Sequence, residues 1–255
     1  QVIRGILPVP PLMKPLLVLA AFPVVLMGWM SCSRSGTGHA ALPDPRTVDK
    51  SVPEYKNPFH PSTYAHFVAR KDYRKTYDVY KDDTLLNRQP KKSRKIFVCL
   101  DEQRGQYLVD GLVAMDFPLS SGVKAYPTKT GDYAVISKKE DHTSNLYGKM
   151  YDAEGKCINY NAESTDPVPE GGRFDGSPMP YWQRLTNAGL GLHVGKVRRH
   201  PVSHGCVRLP RNVAEILYRQ TSIGTPVTIQ KTPLPVSEAQ KIPPAQQQES
   251  EGRKQ

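Results

Sequence analysis

Short apolar runs separated by turn-forming residues fill the chain beyond its first third, and they constrain the fold more than any other feature. Two such runs lie at 96–100 and 107–109, and a third follows at 112–117. Asp-Gly at 110–111 separates the last two, and this dipeptide between apolar runs indicates a tight hairpin. Runs of this length fit buried strands better than helices. We therefore expect a domain built mainly of short β-strands.

The same reasoning completes the outline of this domain. Further strands are predicted at 131–136, 191–194 and 225–230. One helix is predicted over Arg211–Thr221, with Gly224 near its C-terminal cap. Its apolar residues share one face: Val213, Ile216 and Leu217. Many short strands with few helices indicate a β-sandwich or a barrel-like domain.

The N-terminal region carries the features of a bacterial secretory signal. Lys14 precedes an apolar run over 15–30, and small polar residues follow the run. The run is shorter than the about 20 residues that a stable spanning helix needs. We interpret residues 1–32 as the signal, with Met13 as its expected start.

Cys32 directly follows the apolar run, where bacterial lipoproteins are cleaved and acylated. The sequence Trp29-Met30-Ser31-Cys32 resembles a lipobox, in which Ser31 suits the position before the cut and Trp29 is unusual. Lipidation of Cys32 is the preferred interpretation, and a plain cleaved signal and an uncleaved anchor are the alternatives. All three export the protein to the cell envelope, on the periplasmic face.

Two segments flank the predicted domain of residues 95–230. Residues 33–94 begin with many prolines, serines and glycines, and we expect a tether from membrane to domain. Within them, aromatic and aliphatic residues over 63–88 have roughly helical spacing. This predicts a short helix packing on the domain, with a glycan-binding face as the alternative. Residues 231–255, rich in proline and glutamine, are expected to be disordered.

The formal net charge of +11 favours an anionic partner such as nucleic acid, anionic lipid or cell-wall polymer. A nucleic-acid partner would explain the charge but not the export signal. We therefore expect no nucleic-acid partner, and we assign the charge to a wall or membrane surface.

The segment 191–210 gathers three histidines and one cysteine between His193 and Cys206. A metal site, half of a disulfide, and a nucleophile with its base are the three interpretations. Zinc accepts such ligands, but neither Cys-x-x-Cys nor His-Glu-x-x-His is present. A disulfide from Cys206 to Cys99 or Cys157 would leave the histidines unexplained, whereas a Cys99–Cys157 bridge is compatible with a free Cys206.

The nucleophile interpretation explains the most. A thiol of ordinary pKa is largely protonated at neutral pH, and a neighbouring imidazole can take its proton and hold a thiolate–imidazolium pair. Gly205 allows a tight turn, and the N–H groups of Gly205 and Cys206 are candidates to stabilise an oxyanion. His193 is predicted at a strand end, with Cys206 on the following loop. The predicted chemistry is acyl transfer through a thioester.

The stretch SHGCVRLP at 203–210, with an upstream Gly-x-His, resembles the signature of the L,D-transpeptidases. Segments 127–133, 179–182 and 224–227 resemble further motifs of this family, in the family's order. The resemblance spans 95–230 and implies a YkuD-like β-sandwich catalytic domain with a few short helices. The departures are modest: Lys129 stands where proline is usual, and Val194 where a smaller residue is commoner.

The resemblance implies roles for the residues of this stretch. Cys206 would be the nucleophile and His193 the general acid and base, with the backbone carbonyl of Val194 orienting the His193 ring. Ser203 and Gly205 would support the turn.

For the other side chains of these motifs, two roles are compatible with the sequence. His204 either tunes the thiolate or fixes the loop. Arg208 either binds a substrate carboxylate or forms a salt bridge within the loop. Tyr181 and Trp182 either wall the groove or belong to the core. The remaining histidines are interpreted as incidental: His60, His66, His142 and His200.

The resemblance also implies a reaction in peptidoglycan and cell-wall biogenesis. The donor would be a tetrapeptide stem that loses its terminal D-alanine. An amine of a second stem would give a 3→3 cross-link, a lysine of an outer-membrane lipoprotein would give an anchored protein, and water would make the enzyme a hydrolase. No metal and no organic cofactor is implied. A non-catalytic wall-binding lipoprotein with the same fold is the alternative from another class.

Overall fold

The structure is a computed structural model that describes residues 42–90 and 93–241. The predicted signal and the predicted lipidation site at Cys32 lie outside these residues, as does the tail beyond residue 241. Within the described ranges, no helix is long and apolar enough to cross a membrane.

The described chain is mainly β, which confirms the predicted fold class. Its helices are α1 (Tyr64–Ala69), α2 (Asp83–Asn87) and α3 (Arg211–Gln220), followed by a 3-10 turn at Glu238–Gln240. Its first strands are β1 (Tyr80–Lys81), β2 (Arg94–Cys99), β3 (Arg104–Val109), β4 (Leu112–Pro118), β5 (Gly131–Ala134), β6 (Ser137–Lys139) and β7 (Thr143–Tyr151). The later ones are β8 (Cys157–Glu163), β9 (Arg173–Pro178), β10 (Trp182–Arg184), β11 (Gly191–Val194), β12 (Val207–Leu209) and β13 (Pro226–Gln230).

The strands form three sheets. One has six strands in the order β1-β4-β3-β2-β13-β5, one has four in the order β12-β11-β10-β6, and one has three in the order β8-β7-β9. The predicted hairpin joins β3 to β4, and its turn residues Asp110 and Gly111 both have positive φ, 52° and 81°. Two positive φ values in succession give the turn whose twist matches paired strands.

The core lies between the six-stranded and four-stranded sheets. Ile96 of β2 and Leu192 of β11 are buried in one cluster, together with Leu217 of α3. Apolar side chains from the facing sides of two sheets are what makes a sandwich stable. The helix prediction over Arg211–Thr221 is confirmed to within one residue.

The segment predicted as a tether is packed on the sandwich from residue 42 onward. Its aromatic residues form a second core with Val113 of β4: Phe59, Tyr64, Phe67 and Tyr73. The helical spacing over 63–88 produces α1 and α2, with β1 between them along the edge of β4. The expectation of a tether is therefore corrected for 42–90, because these aromatic rings are buried against the sheet.

The start of the predicted disordered tail is also packed. Val236 is buried in the second core, and the side-chain amide of Gln240 pairs with the backbone of Val113. The Val113 N–H donates to Gln240 Oε1, and Gln240 Nε2 donates to the Val113 carbonyl, both at 3.0 Å. These bonds satisfy an edge position of β4 that would otherwise lack a partner. The prediction of disorder is corrected for 231–241.

Candidate active site

His193 is held in a defined orientation on β11. The strand pairs in parallel with β12, which places His193 opposite Arg208. The ring Nδ1 lies 2.7 Å from the Val194 carbonyl oxygen. Because a carbonyl only accepts, Nδ1 carries the proton and the neutral ring presents the lone pair of Nε2. Burial lowers the pKa of His193 to about 4, so the ring is neutral at physiological pH.

Cys206 lies on the loop that leads into β12. Gly205 before it has φ +110°, a conformation that favours glycine. The thiol donates to the Gly189 carbonyl at 3.3 Å, and burial raises its pKa. The lowered pKa of His193 and the raised pKa of Cys206 both favour the neutral thiol and the neutral imidazole over the ion pair.

The pH dependence of Cys206 alkylation should reflect this neutral pair. Only the thiolate reacts, and its fraction grows about tenfold per pH unit below the pKa. We expect the rate of Cys206 modification by iodoacetamide to rise continuously from pH 6 to pH 9, as followed by peptide mass spectrometry. Cys99 and Cys157 peptides provide internal comparisons in the same digest. A rate that is already constant between pH 6 and pH 7 would contradict the neutral pair.

Ser203 supports the turn before the nucleophile. Its side chain is 2% exposed, and its hydroxyl donates to the Cys206 carbonyl. The same oxygen accepts from the Gly205 N–H at 3.2 Å. The Gly205 N–H is thus engaged within the loop, which leaves the Cys206 N–H as the better of the two predicted oxyanion donors.

A cavity of about 540 Å³ contains both Cys206 and His193 in its lining. Trp182, 3% exposed, forms one wall, with its ring centroid 6.0 Å from that of His193 and 5.0 Å from that of His142. Trp182 approaches closely because Gly191 has no side chain: a Cβ there would lie 2.4 Å from the indole. His142 was interpreted as incidental, yet it lines the cavity. Its place just before β7 belongs to none of the recognised motifs.

Tyr181 does not share this wall. Its ring packs 5.6 Å from that of Tyr218 and against the main core. Tyr181 lies in the turn before β10 with a positive φ of 56°, whereas Trp182 is the first residue of that strand. Of the pair predicted to line the groove, the structure brings Trp182 to the cavity and places Tyr181 outside it.

His204 faces aromatic rings. It is exposed, and its ring stacks on Tyr147 of β7 at 4.4 Å with an interplanar angle of 19°. Tyr126 lies 4.7 Å from it on another side. The three-stranded sheet thus meets the Cys206 loop at His204, and this contact favours the interpretation that His204 fixes the loop.

The charged residues of the cavity all have one sign. Three cationic side chains line it, and no aspartate or glutamate of the described chain does: Lys129, Arg184 and Arg208. Arg208 packs its aliphatic part against Gly195. Over residues 42–90 and 93–241, no carboxylate lies within ion-pair distance of its guanidinium, so the alternative of a salt bridge within the loop is not observed.

The other histidines and cysteines lie apart from this cavity. His200 is exposed beside Pro201, and His60 and His66 belong to the N-terminal segment. Cys99 and Cys157 are both free thiols, on strands of different sheets. Across the part of the chain that is described, no group of three histidine, cysteine or acidic side chains is placed to hold one metal ion.

Fold and site together define a class of protein: a β-sandwich domain with a partly buried cysteine and an oriented histidine in one cationic cavity. The chain belongs to the YkuD family, described as the L,D-transpeptidase catalytic domain, whose family model matches residues 93–229. The matched residues make up more than half of the chain.

The chain is also similar to individual named proteins. A Mycobacterium tuberculosis protein named probable L,D-transpeptidase 3 is 32% identical over 121 residues, which cover 45% of this chain and 38% of that protein. The chain thus spans little more than a third of that relative's length. An L,D-transpeptidase from Mycobacterium smegmatis is 22% identical with a TM-score of 0.42, covering 54% and 58% of the two chains. One from Stackebrandtia nassauensis is 22% identical with a TM-score of 0.41, covering 65% of each.

Proposed function

We propose that this protein is a peptidoglycan L,D-transpeptidase that uses Cys206 as its nucleophile. The observation that carries the proposal is one cavity whose lining contains both the partly buried Cys206 and the oriented imidazole of His193. The Nδ1 bond to Val194 leaves Nε2 as the only nitrogen of His193 that can take a proton from the thiol.

In the first half-reaction, His193 Nε2 takes the proton of Cys206 as the sulfur attacks a stem carbonyl. The carbonyl is that of the third residue of a tetrapeptide stem. A carbon–sulfur bond forms, the carbon–nitrogen bond to the terminal D-alanine breaks, and the His193 proton passes to the leaving amine. The product is a thioester on Cys206 and free D-alanine.

In the second half-reaction, an amine attacks the thioester and His193 takes its proton. The new carbon–nitrogen bond replaces the carbon–sulfur bond, and the proton returns to Cys206. A side-chain amine of a second stem gives a 3→3 cross-link, and a lysine of a lipoprotein gives an attached protein. Water as the acceptor gives hydrolysis instead.

The cationic lining of the cavity supports an anionic donor. Peptide stems carry carboxylates, and a guanidinium without an internal carboxylate partner can bind one in a bidentate manner. Arg208 is the candidate for this contact, because it lies opposite His193 in the β11–β12 register. Trp182 would form the apolar wall against which the stem lies.

The proposed place of action is the cell envelope, where these stems are found. The signal over 1–32 and a lipid at Cys32 would hold the catalytic domain on the periplasmic face, and the net charge of +11 suits an anionic wall or membrane surface.

The test is mass spectrometry of a purified disaccharide-tetrapeptide incubated with the protein that starts after Cys32. We expect a cross-linked dimer and free D-alanine with the natural sequence, and neither with Cys206→Ala. Tripeptide without dimer would identify a hydrolase on the same site. Folded protein that gives no adduct and no product would contradict the proposal and favour the non-catalytic wall-binding lipoprotein.

A further inference from the structure

Thr128 lies directly behind the loop that carries Cys206, and the mechanism above does not use it. Its side chain is 5% exposed. Its hydroxyl donates to the Gly205 carbonyl at 2.6 Å and accepts from the Gly122 N–H at 2.8 Å. Both hydrogen-bonding roles of this buried hydroxyl are therefore taken by backbone groups.

The bond to Gly205 fixes the direction of a neighbouring N–H. The Gly205 carbonyl and the Cys206 N–H belong to one planar trans peptide group, so they point in opposite directions. Among the described residues, Thr128 does not line the cavity of Cys206 but a second, more open depression, which shares Pro127 and Lys129 with it. A Gly205 carbonyl directed at Thr128 therefore turns the Cys206 N–H away from Thr128, and Cys206 itself lines that cavity.

The peptide group between Gly205 and Cys206 needs a hydrogen bond that fixes its orientation. Gly205, at φ +110°, has the freedom of a glycine to rotate the peptide that follows it. Its own N–H is occupied by Ser203 at 3.2 Å. The backbone of Gly122 packs closely against this loop, since a Cβ at Gly122 would lie 2.8 Å from the Gly205 Cα. Thr128 thus links the backbone at Gly122 to the backbone at Gly205. In doing so it fixes the orientation of the Cys206 N–H, which lies next to the reacting sulfur.

We propose that Thr128 is a positioning residue that aligns the Cys206 N–H as the donor to the oxyanion formed when the thiol attacks the stem. The inference rests on the proposed acyl transfer. A donor aimed in advance at the developing charge stabilises the transition state more than the bound substrate. Loss of the alignment should therefore lower kcat and leave KM nearly unchanged.

The experiment compares Thr128→Val with Thr128→Ser. Valine has nearly the same shape but no hydroxyl, and serine retains the hydroxyl. We expect Thr128→Val to lower kcat for D-alanine release about 10- to 100-fold with KM within about twofold, and Thr128→Ser to stay within about threefold of the natural enzyme. Iodoacetamide alkylation of Cys206 forms no oxyanion, so its rate should be unchanged in both variants.

Each other result has a definite meaning. A Thr128→Val enzyme with natural kcat overturns the inference alone, and so does a parallel loss of acylation and alkylation, because Thr128 would then only maintain the loop. A natural enzyme without Cys206-dependent release of D-alanine contradicts the proposed function itself. If Thr128→Val does not fold, Thr128→Ala, which leaves space in place of the hydroxyl, replaces it in the experiment. The inference then requires that kcat for D-alanine release falls in Thr128→Ala while the rate of Cys206 alkylation is unchanged.

Discussion

Replacing His193 with glutamine is expected to lower the rate of Cys206 acylation by about 10³-fold, in the range of a lost general base. Glutamine can donate to the Val194 carbonyl as the imidazole Nδ1 does, but it cannot take the thiol proton. The measurement is D-alanine release from the tetrapeptide, with Cys206→Ala as the background. A His193→Gln enzyme within about tenfold of the natural rate would show that another group deprotonates Cys206.

The same variant should change the pH dependence of stability. His193 has its ordinary pKa in the unfolded chain and a pKa of about 4 when folded. Between these values the unfolded chain binds a proton that the folded protein does not, so the stability due to the buried neutral ring falls as the pH drops. The free energy of unfolding of the natural protein, relative to His193→Gln, should decrease by about 3 kcal/mol from pH 7 to pH 4.

Urea denaturation of both proteins at the two pH values measures this difference, because groups that titrate alike in both proteins cancel. Parallel pH curves for the natural protein and His193→Gln would contradict the burial of a neutral His193. That result would leave the kinetic prediction intact, since a base can act from an exposed position.

The sequence predicted the sandwich well where one face of a strand is buried. The apolar runs of β2, β3 and β4 lie in the core as expected. The three-stranded sheet was not predicted, because most residues of β8 are exposed and its apolar residues Ile158 and Tyr160 do not mark a buried face. A strand without a clean alternation carries little periodic signal.

Only those residues of the site that carry a reactive group within a recognisable motif could be predicted from the sequence. Cys206 and His193 carry reactive groups within a recognisable pattern, and the structure places them in one cavity. The bonds of Thr128 to Gly122 and Gly205 depend on two loops meeting, which no local pattern encodes.

The packing of the N-terminal segment likewise could not be predicted from local sequence patterns. Its prolines suggested a tether, but its packing depends on a buried carboxylate far along the chain. Asp116 of β4 is fully buried and accepts from the hydroxyls of Tyr64 at 2.6 Å and Tyr73 at 2.8 Å. Arg104, 1% exposed, forms an ion pair with the same carboxylate. The two tyrosines lie 52 and 43 residues from Asp116 along the chain, so only the folded sheet brings them together.

This network also reaches the loop between His193 and Cys206. Arg199 of that loop donates to the Glu102 carbonyl at 2.9 Å and to the carbonyls of Arg74 and Thr76. Arg104 donates to the Thr76 carbonyl at 3.3 Å. The N-terminal segment therefore supports the active-site loop as well as covering the sheet.

Replacing Arg104 with glutamine should lower the free energy of unfolding by about 3 to 5 kcal/mol, because it leaves the Asp116 carboxylate buried without a compensating charge. Arg70→Gln is the matched control: its partners Asp72 and Asp78 are both more than half exposed, and a surface pair is worth less than about 1 kcal/mol. Urea denaturation gives both values, and limited proteolysis should cut residues 42–88 faster in Arg104→Gln.

The double variant Arg104→Gln with Asp116→Asn separates loss of charge balance from loss of packing. Without the carboxylate there is no uncompensated charge, so the double variant should recover part of the stability lost in Arg104→Gln, with a coupling energy of about 1 to 3 kcal/mol. Additive losses would show that Arg104 acts through its packing on the rings of Phe67 and Tyr73, 5.2 and 4.8 Å from its guanidinium carbon. In either case, alkylation of Cys206 should report whether the active-site loop loosens when the N-terminal segment does.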